Sequence, residues 1–248
     1  MARKTKHVEC MVLGKTKLAE QDLILTMLAT DGSQIRAVAK GARKPGSRLA
    51  ARTELFCQTK MLLSYGRGLP IVTDAEIVQS HKLLRGNIDM LALGSMLLEV
   101  ARLTSYEDMD DPFLFGVLAR ALAAVEQNES MEHRELFVAA YVIKVMSHCG
   151  WRPVLDGCVA CGETPATRFS VDAGGLLCES CAKDVAGAVP MSSDAAAWIQ
   201  ALVGYTFDEL ERCTIDANTS DYLIEIAHVW AARHLDARLR AFEYYRGA

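Results

Sequence analysis

The chain has 248 residues, 51% of them hydrophobic and 23% charged, with a formal net charge of −4. This is an ordinary balance for a soluble globular protein, long enough to bury a core as one large domain or two smaller ones. No uncharged apolar run of about 18 residues occurs, and the basic opening MARKTKHVEC lacks the apolar region of a signal peptide. A membrane span is therefore excluded and a cytoplasmic location expected, where the eight cysteines serve as thiols or metal ligands rather than disulfides.

The first 80 residues read as strands. HVECMVLGKTK and DLILTMLAT are rich in Val, Leu, Ile and Thr, and Asp31-Gly32 supplies a hairpin signal before SQIRAVAK. ELFCQTKMLLSYG puts Leu55, Cys57, Thr59, Met61 and Leu63 on one face, and LPIVTDAEIVQ follows the turn Gly66-Arg67-Gly68. Five short strands without a helix long enough for a crossover favour a small closed barrel of the five-stranded OB type, with a two-sheet sandwich as the alternative.

From Asn87 the period changes. Met90, Leu91, Gly94, Leu97, Leu98 and Ala101 recur at three and four residues, as do Phe113, Val117, Leu118, Ala121 and Leu122. Phe137, Tyr141, Lys144, Val145 and His148 continue the pattern, and Asp111-Pro112 resembles a cap followed by proline in the first turn. Helices return in AAAWIQALV and in SDYLIEIAHVWAARHL, where Ser220 reads as the cap. The predicted architecture is α+β and multidomain. An OB-fold barrel over residues 1–80 precedes a helical domain over 81–248, interrupted by a compact insertion near 153–190.

That insertion holds Cys158-Val-Ala-Cys161 and Cys178-Glu-Ser-Cys181, sixteen residues apart, the spacing of two knuckles supplying four thiolates to one tetrahedral zinc. Gly162 and Ala182 suit tight knuckle turns, and Gly174-Gly175 a hairpin between them. Four sulfur ligands close the site to water, so the implied Zn²⁺ is structural. Four thiolates on a divalent ion leave a charge of about −2, for which Arg152, Arg168 and Lys183 are the candidate counter-charges, with a solvated surface role as the equal alternative. Cys10, Cys57, Cys149 and Cys213 stand alone and read as small core residues, with His148-Cys149 ending a helix.

No catalytic constellation emerges. Gly14-Lys15-Thr16 lacks the first glycine of a P-loop, His133 has no zinc-protease partner, and no GxSxG occurs. Glu107, Asp108, Asp110 and Asp111 read as a solvated loop with capping acids.

Charge is unevenly spread. Residues 1–80 carry a balance of +6 and residues 81–248 one of −10. In AKGARKPGSRLAAR, residues 39–52, Lys40, Arg43, Lys44, Arg48 and Arg52 have no acid among them. Pro45-Gly46 disfavours helix there, which suggests a flexible arm able to follow a phosphate chain. Lys15, Lys17, Arg36 and Arg67 extend the patch, and Tyr65 is the nearest stacking platform for a base.

The chain resembles the bacterial RecO recombination-mediator family. The likeness lies in LGKTKLAEQDLILTMLATDG, AVAKGARKPGSR, LLSYGRGLPIVTDAEIV, CGWRPVLDGCVACG, FSVDAGGLLCESC and HLDARLRAF, in that order along nearly the whole chain. The resemblance implies an N-terminal OB-fold, a helical domain with a zinc knuckle, and no catalysis. It implies binding of single- and double-stranded DNA, annealing of complementary strands, and engagement of RecR and single-strand-binding protein, so that RecA is loaded on gapped DNA of the nucleoid. Lys40, Arg43, Lys44 and Arg48 match the family's basic stretch as DNA contacts, with Arg52 and Arg67 beside them. The alternative on the residues alone is a zinc-stabilised OB-fold protein of RNA or transcription.

Overall fold

A computed structural model describes residues 4–247, which separate into two compact units, residues 4–126 and 127–247. The first unit begins with strands β1 (Thr5–Lys17), β2 (Leu23–Ala29) and β3 (Gln34–Ala39). A one-turn helix, α1 (Arg48–Arg52), then leads to β4 (Gln58–Ser64) and β5 (Ile71–Gln79). The five strands close into a barrel in the order β1-β2-β3-β5-β4, with β4 returning to β1. Neighbours are antiparallel except β3 and β5, which meet in parallel at Val38 and Ile71. Closure removes most of the free edges that five short strands would otherwise expose.

Alternation fills the barrel. Cys10, Val12, Leu25, Met27, Ala37, Ala39, Met61 and Leu63 form its dry core. The predicted inward face of the fourth strand is borne out, with Cys57, Thr59, Met61 and Leu63 fully buried and Leu55 packed against the core. At the β2–β3 hairpin Asp31 Oδ1 accepts from the backbone N–H and hydroxyl of Ser33, and Gly32 takes a left-handed φ of 85°. A side chain at Gly32 would also strike the Asp111 carbonyl, 2.1 Å from the Cβ position. The turn thus needs glycine for both its backbone angle and the loop that crosses it.

Two helices complete this unit: α2 (Ile88–Thr104), capped by Asn87 accepting from the Met90 N–H, and α3, which begins at Pro112 and ends at Gln127. Gly94 of α2 sits against the Phe56 ring, where a Cβ would come within 2.8 Å of ring carbon Cε1. Phe113 was expected in the core stripe of α3 but is 40% exposed, because its position in the first turn lies beyond the buried face. The compact unit thus includes both helices after the barrel, so compactness changes near Glu126 and secondary-structure period near Asn87.

The second unit pairs α4 (Met131–His148) with α7 (Ala217–His234), supported by α5 (Ser193–Gly204), α6 (Phe207–Glu211) and α8 (Arg240–Tyr245). Phe137, Tyr141, Val145, Leu223, Ile226, Ala227 and Trp230 are buried. Ser220 does not cap α7. Asp216 does, accepting from the Thr219 N–H, while Ser220 lies a turn inside the helix, fully buried, and donates to Glu135. The acid wins because it stands before the first helical N–H groups, where a cap must stand. Among the described residues no helix is long and apolar enough to cross a membrane.

Candidate metal centre and nucleic-acid interface

The insertion folds as a small three-stranded sheet of β6 (Arg168–Ser170), β7 (Gly175–Leu177) and β8 (Val189–Pro190), in the order β7-β6-β8. Gly174 and Gly175 make the β6–β7 turn as expected, with φ of 87° and 159°. Any side chain at Gly175 would collide with the Val154 backbone, whose oxygen is 2.2 Å from the Cβ position. That close approach lets Leu176 donate to the Val154 carbonyl at 2.8 Å and Val159 donate to the Leu176 carbonyl at 2.7 Å, tying the first knuckle to the sheet.

Each knuckle closes in the same way. Gly162 N–H donates to the Cys158 carbonyl at 2.7 Å, and Ala182 N–H to the Cys178 carbonyl at 3.0 Å. The sulfurs of Cys158, Cys161, Cys178 and Cys181 all lie within 4.8 Å of one another, with Cys161 and Cys178 3.8 Å apart. Bonds of about 2.3 Å to one tetrahedral ion would hold sulfurs about 3.8 Å apart. The four residues can therefore hold one metal ion, and a complete thiolate set leaves no position for water. Cys158 and Cys178 face inward, while Cys161 is exposed.

The cysteines of the cluster do not ionise alike. The Cys158 thiol is drawn down to about 6, first by the backbone N–H of Cys178. The Cys181 thiol is pushed up to about 12, first by its hydrogen bond with the Cys178 side chain. Backbone N–H groups favour one thiolate, and hydrogen bonds between the cysteine side chains oppose the next. Of the three cations expected to offset the cluster, Arg168 is bonded to Glu179 at 2.9 Å, and Arg152 and Lys183 are exposed. Of the four isolated cysteines, Cys10 and Cys57 are core residues, but Cys149 is an exposed C-cap of α4 and Cys213 only half-buried. These last two follow helix ends, where the chain turns outward.

The basic loop departs from the flexible arm expected of it. Successive turns run from Ala42 to Ser47, with Gly41 and Gly46 in left-handed conformations, and continue directly into α1. Asp22 Oδ1 accepts from the Gly41 N–H at 2.7 Å. The Arg43 guanidinium donates to the carbonyls of Glu20 and Ala19 at 2.8 and 3.2 Å, fastening the loop to the β1–β2 turn. Arg52 donates to the Ala75 carbonyl at 2.7 Å and pairs with Asp74 at 3.3 Å. Lys40, Lys44 and Arg48 are exposed, and their side chains make no ion pair among the described residues. Proline and glycine stop the preceding turns but do not prevent one helical turn after them.

Beyond the loop, Lys15 is bound to Glu54 at 2.7 Å. Arg67 is exposed in its glycine turn, and Tyr65 is half-buried against the barrel core. Tyr65 lines a cleft of about 480 Å³ with Lys6 and Arg36 and with the carboxylates of Asp31, Glu107 and Asp108. None of Lys40, Arg43, Lys44, Arg48 and Arg52 lines it, so the structure separates the loop cations from the aromatic candidate. Lys6, which sequence reasoning passed over, enters the cleft because β1 begins upstream of the Tyr65 strand end, where Thr5 pairs with Ser64.

A closed five-stranded barrel followed by helices that carry a four-cysteine insertion places the chain in the class of two-domain α+β proteins. Residues 1–81 match the family model described as recombination protein O, N terminal, and residues 85–242 match recombination protein O, C terminal. The chain belongs to the recombination protein O (RecO) family, whose members are non-catalytic mediators of recombination and DNA repair. It is 28% identical over 245 residues to the DNA repair protein RecO of Desulforudis audaxviator, covering 98% of this chain and 97% of that one. The RecO protein of Bifidobacterium adolescentis is 30% identical over 240 residues, 94% of this chain and 96% of the relative. That of Roseiflexus is 33% identical over 195 residues, or 77% and 68%.

Proposed function

We propose that this protein binds single- and double-stranded DNA in the bacterial cytoplasm and anneals complementary strands. With RecR and single-strand-binding protein it helps RecA occupy gapped DNA. The observation that carries the reading is a closed OB-type barrel presenting Lys40, Lys44 and Arg48 to solvent with no carboxylate bound to them among the described residues, in a chain matched to the RecO family along its length. Cations held on an ordered loop neutralise phosphates without first surrendering a protein partner. Arg43 and Arg52 position the loop, Arg67 extends the charge, and Tyr65 offers a ring to a base in its own cleft. One Zn²⁺ on Cys158, Cys161, Cys178 and Cys181 fixes the insertion and performs no chemistry, because four thiolates fill its coordination.

The test is the salt dependence of binding. Log affinity for a single strand against log salt should fall steeply, and the slope should flatten when Lys40, Lys44 and Arg48 are all replaced by Ala. An unchanged slope removes the loop from the DNA path. Competition between DNA and RNA strands of equal sequence tests the polymer: a strong preference for RNA would replace the repair reading with an RNA-binding one.

A further inference from the structure

Trp151 follows the end of α4 and is 45% exposed, although its backbone is fixed at both ends. Its N–H donates to the Met146 carbonyl at 2.8 Å, and its carbonyl accepts from the indole N–H of Trp230 at 2.9 Å. Its ring lies nearly parallel on His234, with centroids 4.7 Å apart and an 18° interplanar angle. His234 in turn meets the edge of Trp230 at 4.3 Å, and Trp230 leans on Phe169 of the insertion sheet at 5.8 Å. Burial holds the His234 imidazole below its usual pKa, and its Nε2 is buried without a hydrogen-bond partner among the described residues, so it backs the indole as a neutral ring. An aromatic held this firmly loses little freedom when something stacks on it.

The residue beside it supplies charge. Arg152 is exposed and has no ion pair among the described residues, whereas Arg233, next to His234, is bound to Asp172. Arg152 also lines a cleft of about 520 Å³ with Pro153, Leu155 and Gln200. An exposed, pre-positioned indole with an uncommitted guanidinium one residue away is the pairing that single-stranded nucleic acids use: a ring for a base and a cation for the adjoining phosphate.

We infer that Trp151 and Arg152 form a second single-strand site, in the helical unit, where Trp151 stacks on an unpaired base and Arg152 contacts the next phosphate. The inference rests on the nucleic-acid reading above and extends it. Annealing requires two strands to be held at once, and the barrel loop by itself offers one basic track. Because stacking accepts any base, this site should show little sequence preference.

The experiment follows intrinsic fluorescence of the full-length protein on addition of a short oligo(dT) strand, with fluorescence anisotropy of labelled DNA reporting binding independently. The three tryptophans are separated by comparing wild type with Trp151→Phe. Quenching assignable to Trp151 should appear and should persist in the Lys40/Lys44/Arg48→Ala variant, at higher strand concentration. Trp151→Ala should weaken the remaining binding of that variant by about tenfold and slow annealing, while Trp151→Phe, which keeps a ring on His234, should retain most of both. Arg152→Ala should flatten the salt slope by about 0.7 without changing the melting temperature. If DNA binds by anisotropy yet Trp151 emission does not change, the site is not on the DNA path and the exposed ring serves a protein partner. If no strand binds to wild type, the nucleic-acid reading itself fails.

Discussion

In residues 158–181 four side chains converge on one point, whereas in residues 40–52 five side chains of like charge disperse to different duties. The two segments are both short, polar and rich in turns. They differ in what holds them. The cysteines share one need, a cation among their sulfurs, and backbone bonds within each knuckle already aim them at it. The loop cations repel one another. Arg43 turns back to carbonyls of the neighbouring turn and Arg52 turns to β5, while Lys40, Lys44 and Arg48 face solvent without a bonded carboxylate among the described residues. A cluster in sequence becomes a site in space when its members have a common partner.

The sharpest way to break the contrast is to remove a cysteine. Cys158→Ser or Cys178→Ser should abolish stoichiometric zinc and unfold residues 153–190, because binding energy at such a site is folding energy, about 10–16 kcal/mol in small zinc-finger peptides. Metal analysis and a lower melting temperature would register this. Less than about half an equivalent of zinc in carefully purified wild type would count against the site. Gly175→Ala should mimic part of the loss with the ligands intact, since its Cβ would meet the Val154 backbone.

Next in size is the effect of the free cations. Three phosphate contacts at about 0.7 each give a slope change of about two units when Lys40, Lys44 and Arg48 become Ala. Affinity should fall alike for unrelated sequences, because phosphate contacts carry no base information. Tyr65→Ala should instead weaken single-strand binding by about 1–3 kcal/mol while leaving the slope nearly unchanged. Loss of slope in the tyrosine variant would mean that the cleft, with Lys6 and Arg36, carries the phosphate path.

The same contrast explains what was legible in the sequence. Barrel strands were visible because alternation along β2 and β4 records one buried face, and the parallel β3–β5 closure follows from strand count and the need to hide edges. The cysteine cluster was visible because tetrahedral thiolate coordination demands a narrow spacing. The helix after Pro45-Gly46 was hidden, since breakers mark where a turn ends and say nothing of the five residues beyond. Arg43 and Arg52 looked identical to their neighbours, because a guanidinium seeking a backbone carbonyl leaves no trace in residue type. The cap of α7 was misplaced by one turn for a similar reason: Asp216 and Ser220 are both good caps, and only the course of the chain distinguishes them.

The smallest expected effect is the most discriminating. Arg43 is exposed, so its bonds to Ala19 and Glu20 are screened, and Arg43→Ala should cost about 0.5–1 kcal/mol of stability. The loop should loosen, giving faster exchange of the amide at position 43, whose N–H is bonded to the Gln21 carbonyl at 3.0 Å in the wild type. The salt slope should change by less than one contact's worth, about 0.7, because this guanidinium is already committed. Arg43→Lys separates charge from geometry. It preserves the positive charge but loses the planar fork that reaches two carbonyls together, so stability should fall nearly as far as with Ala while DNA affinity stays near wild type. If Arg43→Lys instead kept full stability and Arg43→Ala flattened the slope by a full contact, the residue would belong with Lys40, Lys44 and Arg48. The loop would then be the uniform cationic arm that its composition suggests.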